Sequence, residues 1–338
     1  MNVALIRLSA LGDVVHALPV AAALRRSLPQ ARIVWLAERR EAALLRANPA
    51  VDAVVPVDTR GWRRARSVPA LVREAGAMSA LVQHLREERL DVAIDLQGNA
   101  KSGLVTAATR APLRIGFVAA WCREPVNALF TNLRIRPPRE ARHVVEQCLA
   151  LVEPLGARPG TVEFPLPFDP EAEGRVDDFL RGAGLKPRQR LVVLNPGAGR
   201  AAKRWPLDRF GQLAVRLAEE ARAAVLIVWG PGEEEAAATI AGMSPRGGVL
   251  AAPPTGLAEL LAVLRRASVV VAADTGPIHL AAALGTPCVG LYGPTSSERN
   301  GPWGQIGSVL ACPDGKVESL HVPRVYRAVL GALERDGA

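Results

Sequence analysis

Val269-Val270-Val271-Ala272-Ala273-Asp274-Thr275-Gly276-Pro277-Ile278-His279 changes character in a single step. Its first five residues are small or β-branched and wholly apolar, as in a strand covered on both faces by helices. The Asp-Thr-Gly turn follows, and a helix over Ile278–Leu284 is expected after it. Asp274 and Thr275 can cap that helix with side-chain oxygens. The free N–H groups at its start form a site for an anion. His279 falls in the first turns, either as a satisfied core histidine or as a donor to a phosphate or sugar oxygen.

The same strand, glycine loop, helix pattern recurs on both sides. Upstream, Leu191–Leu194 is a strand ending in Asn195-Pro196-Gly197-Ala198-Gly199, and Pro206 opens a helix at its first position, running to about Ala221. Ala224–Trp229 is a strand leading through Gly230-Pro231-Gly232 to a helix from Glu233. A helix over Leu257–Ala267 precedes the Ser268–Ala273 strand, Pro287–Tyr292 is a further strand, and the last helix spans about 322–335. The first half alternates likewise: strands at Val3–Leu8, Ala31–Leu36, Ala53–Val57 and Asp91–Leu96, helices at Val14–Ser27, Arg39–Arg46 and Ala70–Glu88. Such alternation predicts an α/β protein with parallel sheets. Around Thr161–Pro170 the texture breaks, with three prolines in Glu163-Phe164-Pro165-Leu166-Pro167-Phe168-Asp169-Pro170, which suits neither helix nor central strand. Two Rossmann-like domains are therefore expected, 1–165 and 166–338, with the helix at 322–335 able to pack back on the first.

At 338 residues and 49% hydrophobic content there is ample material for two cores. No apolar run reaches the roughly 18 residues that span a bilayer. The start, Met1-Asn2-Val3-Ala4-Leu5, enters a strand directly and does not read as a signal peptide. A cytoplasmic protein is expected. Four scattered cysteines without a CxxC argue against a zinc ribbon or a thioredoxin-like site. The net charge of +9 is uneven: residues 1–169 carry 23 Lys+Arg against 16 Asp+Glu, residues 170–338 carry 19 against 17. The basic half should meet an anionic partner. No nucleic-acid module is present, so an anionic lipid or membrane surface is expected instead of nucleic acid.

Gly197-Ala198-Gly199-Arg200-Ala201-Ala202 fits a loose dinucleotide pattern, but the next strand ends at Trp229-Gly230 without the acidic residue that would hold a ribose. NAD is not indicated, nor is a Walker A loop, and no cofactor is expected. Lys203 can place a point charge on phosphates approached by this loop. Glu233 stands at a helix start, as a dipole partner or as a ribose contact; Glu234 and Glu235 read as solvated. In the first half, Ser9-Ala10-Leu11-Gly12-Asp13 follows the first strand, and Asp13 is either a plain helix cap or a carboxylate facing a ligand. Arg60, Trp62, Arg63, Arg64 and Arg66 form a basic cluster, either a solvated helix start or an anion-capture site. No DxD motif occurs, so no metal site is expected.

Together these segments resemble the heptosyltransferases of lipopolysaccharide synthesis, nearest to the type I branch. The matching pieces are Arg7-Leu8-Ser9-Ala10-Leu11-Gly12-Asp13-Val14-Val15-His16-Ala17-Leu18-Pro19, Trp62-Arg63-Arg64, Ile94-Asp95-Leu96-Gln97-Gly98 with Lys101-Ser102, Ala120-Trp121-Cys122-Arg123-Glu124-Pro125, His143, Lys203-Arg204-Trp205-Pro206, Trp229-Gly230 with Glu233, Asp274-Thr275-Gly276 with His279, and Tyr292-Gly293-Pro294-Thr295. The likeness runs most of the chain, and order and spacing make it specific. It implies a GT-B fold, two Rossmann-like domains facing across a cleft, the first binding acceptor and the second nucleotide sugar. It implies inverting transfer of L-glycero-D-manno-heptose from ADP-heptose to a Kdo of Kdo2-lipid A, at the cytoplasmic face of the inner membrane. Asp13 is then the general base. Ser9, Ala198, Gly199, Lys203, Glu233, Thr255, Asp274, Thr275, Gly276 and His279 hold the donor, and Arg60, Arg63, Arg64, Lys101 and Arg123 the acceptor. One departure stands out: such enzymes often carry two threonines where this chain has Ala198-Gly199, so backbone N–H groups must replace hydroxyls. Alternatives are a transferase of the same fold with another donor or acceptor, a sugar-nucleotide epimerase, and a non-catalytic nucleotide- or membrane-binding protein.

Overall fold

The computed structural model describes residues 1–59, 61, 67–157, 160–186, 189–244 and 247–335, the side chains of 68–74 excepted. The chain divides into two compact units, Met1–Pro167 and Phe168–Ala338.

The first unit runs β1 (Asn2–Ile6), α1 (Leu11–Ser27), β2 (Arg32–Glu38), β3 (Ala53–Val57), α2 (Val68–Glu87), β4 (Val92–Asp95), α3 (Ala100–Ala108), β5 (Leu113–Phe117), β6 (Leu133–Ile135) and α4 (Val144–Ala150). All six strands join one parallel sheet, in the order β3-β2-β1-β4-β5-β6. Val3 to Ile6 of the central strand are completely buried, so a continuous apolar run rather than an alternating one encodes it. Helix α1 is buried from Val14 through Ala21 and packs against α4. Its sequence is apolar around most of its circumference for that reason.

The second unit runs α5 (Pro170–Gly182), β7 (Leu191–Asn195), α6 (Leu207–Glu219), β8 (Ala224–Ile227), α7 (Glu234–Gly242), β9 (Val249–Ala251), α8 (Leu257–Arg266), β10 (Val269–Ala273), α9 (Gly276–Ala283), β11 (Cys288–Tyr292), α10 (Ser297–Asn300), β12 (Val309–Ala311) and α11 (Val322–Arg335). Its sheet is also parallel, ordered β12-β11-β10-β7-β8-β9. Counted within each unit, both sheets follow 3-2-1-4-5-6. The winding reverses between the first and fourth strands, so a crevice opens beyond their carboxyl ends: after β1 and β4 in one unit, after β7 and β10 in the other. Ligands of open α/β sheets bind at this point.

Two expectations need correction. The helix read over Arg39–Arg46 is a short 3-10 turn, Glu41–Leu44. Pro49 disfavours helical backbone at Asn48, which leaves too little chain for an α-helix. Pro206 is the residue before α6, not its first residue. Helix α11 packs on α6 and on strands β10 and β11 of its own unit, with Val325, Tyr326, Val329 and Leu333 in that core.

Candidate active site

In the second unit, the loops after β7 and β10 meet through side chains. Lys203 lies at the end of the 3-10 turn Ala201–Lys203, and its Nζ sits 2.5 Å from Asp274 Oδ2. The other carboxylate oxygen, Oδ1, lies 3.0 Å from His279 Nε2 on α9. Asp274 is thus held between a lysine and a histidine, its side chain only 11% exposed. Burial pushes its carboxyl up, but the hydrogen bonds and charges of His279 and Lys203 outweigh burial and hold it well below the usual carboxylate range. Such an aspartate stays ionised and orients its two neighbours; it is a poor proton acceptor. Thr275 Oγ1 ties the loops again, donating to Asn195 Oδ1 at 3.3 Å, while Asn195 Nδ2 donates to Val228 O at 3.2 Å. Gly276 begins α9, so its N–H lies at the positive end of that helix.

The anchor under Lys203 is Trp205. Its indole is buried, donates to Leu320 O at 2.8 Å and stands edge-on to Phe210, with ring centroids 4.9 Å apart. Arg204 Nε donates to Ala198 O at 2.9 Å and so fixes the loop after β7. Glu233 Oε2 accepts from Gly230 N at 2.9 Å, and a Cβ at Gly197 would overlap this carboxylate. Gly197 is therefore needed for close approach, and Glu233 closes over the β7 loop. Glu234 and Glu235 are exposed. Ala198 is buried, whereas Gly199 is exposed with open space around its Cβ position. Thr255 is not bonded into this cluster among the described residues. It lines a separate cavity of about 150 Å³ with Arg175, Val176, Phe179, Leu226 and Val263.

In the first unit the loop after β1 carries Arg7 and Ser9, and the first turn of α1 carries Asp13. Arg7 is buried; it donates to Leu96 O across to the β4 loop, and its Nη2 lies 2.9 Å from Asp13 Oδ1. Burial works against the Arg7 charge, yet the adjacent Asp13 more than offsets it and holds the guanidinium above its ordinary pKa. Asp13 Oδ2 accepts from Ala10 N at 3.2 Å, so the carboxylate reaches back over the start of α1. Its side chain remains 34% exposed. Ser9 is half-buried beside it. Leu8 N donates to Gln97 Oε1 at 2.7 Å, joining the β1 and β4 loops.

Lys101, in the first turn of α3, sits 3.3 Å from Glu38 Oε1. Glu38 ends β2, is buried, and also accepts from Thr59 Oγ1. Arg123 is exposed and makes no ion pair among the described residues. Arg60, Arg63 and Arg64, with Trp62 and Arg66, lie outside the described residues. Arg7, Glu38 and Asn195 were not assigned roles from sequence. Arg7 and Asn195 stand at strand ends within the quoted loops, which is a usable signal. Glu38 carries none, because only folding brings it to Lys101.

The sequence profile of Glycosyltransferase family 9 (heptosyltransferase) matches residues 78–325. The chain belongs to that family. It is a glycosyltransferase, and family membership decides for transfer over epimerisation. It is 32% identical over 317 residues to Lipopolysaccharide heptosyltransferase 1 of Pseudomonas aeruginosa, covering 92% of this chain and 85% of that protein. Its structure resembles that of the E. coli heptosyltransferase WaaC with ADP, with a TM-score of 0.79, 27% identity, and coverage of 98% and 100% of the two chains. A glycosyltransferase family 9 structure from Veillonella parvula superposes with a TM-score of 0.82 at 20% identity, a likeness of fold, covering 99% of this chain and 97% of that one. The fold shared with these enzymes is GT-B. Among the described residues no helix is long and apolar enough to cross a membrane.

Proposed function

We propose that this family 9 glycosyltransferase moves L-glycero-D-manno-heptose from ADP-heptose to a Kdo residue of Kdo2-lipid A, with inversion, at the cytoplasmic face of the inner membrane. The observation that carries the reading is the Lys203–Asp274–His279 cluster at the strand reversal of the second unit. Its lysine, with the N–H groups at the start of α9, supplies the positive charge and donors that a departing diphosphate needs. Asp274 orients Lys203 and His279, Glu233 serves the ribose, and Thr255 the nucleoside.

The first unit contributes the acceptor. The acceptor hydroxyl attacks the anomeric carbon while the bond from that carbon to the β-phosphate oxygen breaks and ADP leaves. Asp13 takes the hydroxyl proton on its exposed side while Arg7 holds the carboxylate in place. Lys101, with Arg123 and the basic cluster around Arg60, Arg63 and Arg64, pairs with Kdo carboxylates and lipid phosphates. All charge stabilisation comes from side chains and backbone N–H groups. On this reading turnover should persist in EDTA.

The deciding experiment measures product formation with Kdo2-lipid A against ADP-heptose and a panel of other nucleotide sugars. The reading expects ADP-heptose to lead the panel by a wide margin. A preference for a different sugar nucleotide, or transfer only to a heptosylated core, would replace the substrate assignment.

A further inference from the structure

From Leu96 to Pro137 the first unit carries six Lys and Arg residues and one acid, Glu124. The middle of this stretch is a 3-10 turn, Pro125–Phe130, fastened from beneath. Asn127 is fully buried and donates through Nδ2 to Asp95 Oδ2 at 2.7 Å and to Asn99 O at 2.8 Å. Arg114 Nε donates to Phe130 O at 3.0 Å, and Arg134 Nε to Ala128 O at 2.9 Å. Helix α3 backs onto the turn so closely that a Cβ at Gly103 would overlap the Phe130 ring.

A segment held this firmly still leaves apolar side chains in solvent. Leu129 is 76% exposed and Val126 45%; Leu104, beside Gly103 on α3, is 55% exposed. They are three of the eight large apolar side chains exposed among the described residues. Single exposed leucines carry no meaning, but a group on one packed helix–turn pair marks an interaction surface. Arg134, which is bonded to the turn through Ala128 O, is exposed, and so are Arg110, Arg123 and Arg136 of the same stretch of chain. Glu124 is occupied, accepting from Ala100 N at 2.8 Å.

We infer that this helix–turn pair docks on the surface of an anionic phospholipid bilayer. Leu104, Val126 and Leu129 enter the boundary between headgroups and acyl chains, and the exposed guanidiniums of the same basic stretch pair with lipid phosphates. The sign of the charge chooses this partner. A second copy of the chain would set arginine against arginine across a symmetric contact, which is unfavourable. The inference rests on the proposed lipid-anchored acceptor only for its purpose, to bring the enzyme to the surface where that acceptor lies.

The test sediments the full chain with vesicles of phosphatidylethanolamine and phosphatidylglycerol, and with vesicles of phosphatidylcholine alone. The wild type should partition onto the anionic vesicles, less so at high salt. The Leu104→Ser/Leu129→Ser variant should partition at least roughly tenfold more weakly, given the apolar burial lost. Its turnover on an acceptor without acyl chains should be unchanged. Leu129→Trp provides a second readout, an added indole emission that shifts to the blue on anionic vesicles. Wild-type sedimentation by the serine variant, or an added emission in Leu129→Trp that vesicles leave unmoved, overturns the inference. A wild-type dimer that the serines dissociate also overturns it and gives the face to a second copy. A wild type that sediments yet transfers no heptose leaves the docking surface standing and removes the substrate assignment instead.

Discussion

Asp13 and Asp274 both follow a central strand at the reversal point of a 3-2-1-4-5-6 sheet, and both lie against a cation. Their surroundings differ. Asp274 has a lysine on one oxygen and a histidine on the other and is 11% exposed. Asp13 has Arg7 on one oxygen, a backbone N–H at 3.2 Å on the other, and is 34% exposed. The same side chain at the junction of a strand with its following helix is thus an orienting group in one unit and a solvent-accessible carboxylate in the other. Placement beyond a strand end makes a residue a candidate; what surrounds its oxygens decides its work.

The contrast breaks first at Asp13. Asp13→Ala should lower turnover by ~10²–10⁴-fold, the usual worth of a general base. ADP affinity, read by calorimetry, should hardly move, since the nucleotide is assigned to the other unit. Near-normal turnover would reduce Asp13 to a partner of Arg7 and the start of α1.

Lys203 offers the next effect. Lys203→Ala removes a charge-assisted contact and should lower kcat/KM for the donor by ~10–100-fold. ADP affinity should fall with it, the reverse of the Asp13 result. Equal loss of ADP binding in both variants would erase the division of labour between the units.

Asp274 sharpens the comparison through pH. Its folded pKa lies below that of the unfolded chain, near 3.9 for an ordinary aspartate. The stability it contributes is therefore complete above about pH 4 and is lost as pH falls through the folded value. The gap in Tm between wild type and Asp274→Asn should be widest near neutral pH and narrow below about pH 4. A gap independent of pH would mean that ionisation of Asp274 does not hold the loops together.

The smallest effect is expected at Gly199. It is exposed, and a Cβ there meets nothing within 4 Å. Gly199→Thr should fit and add a hydroxyl near the proposed diphosphate, tightening ADP by about fivefold, the worth of roughly 1 kcal/mol. Unchanged affinity would place the diphosphate away from this loop.

The central elements could be read because buried parallel strands are continuous apolar runs closed by glycine or aspartate. β3 and α11 fall at the residues expected, and β1, β7, β10 and β11 within a residue or two. Strand β5, interrupted by Arg114 and Gly116, and the three-residue edge strands β6, β9 and β12 were not read, since none shows a clear period or apolar run; nor were helices α3, α4 and α5, α3 being rich in small and hydroxyl residues that give no clear helical stripe. The site divides in the same way. Local order in the chain put Asp13 after β1 and Asp274, Thr275 and His279 after β10. Contacts of long sequence separation, Lys203 with Asp274, Lys101 with Glu38 and Arg7 with Leu96, depend on which strand lies beside which. Sequence alone determined the alternation, the loops and the residue types able to do this chemistry, because these are set by near neighbours along the chain. Only the tertiary structure decided which carboxylate is enclosed between a lysine and a histidine and which stays exposed to solvent, because that depends on side chains delivered by other elements and on the water that packing excludes.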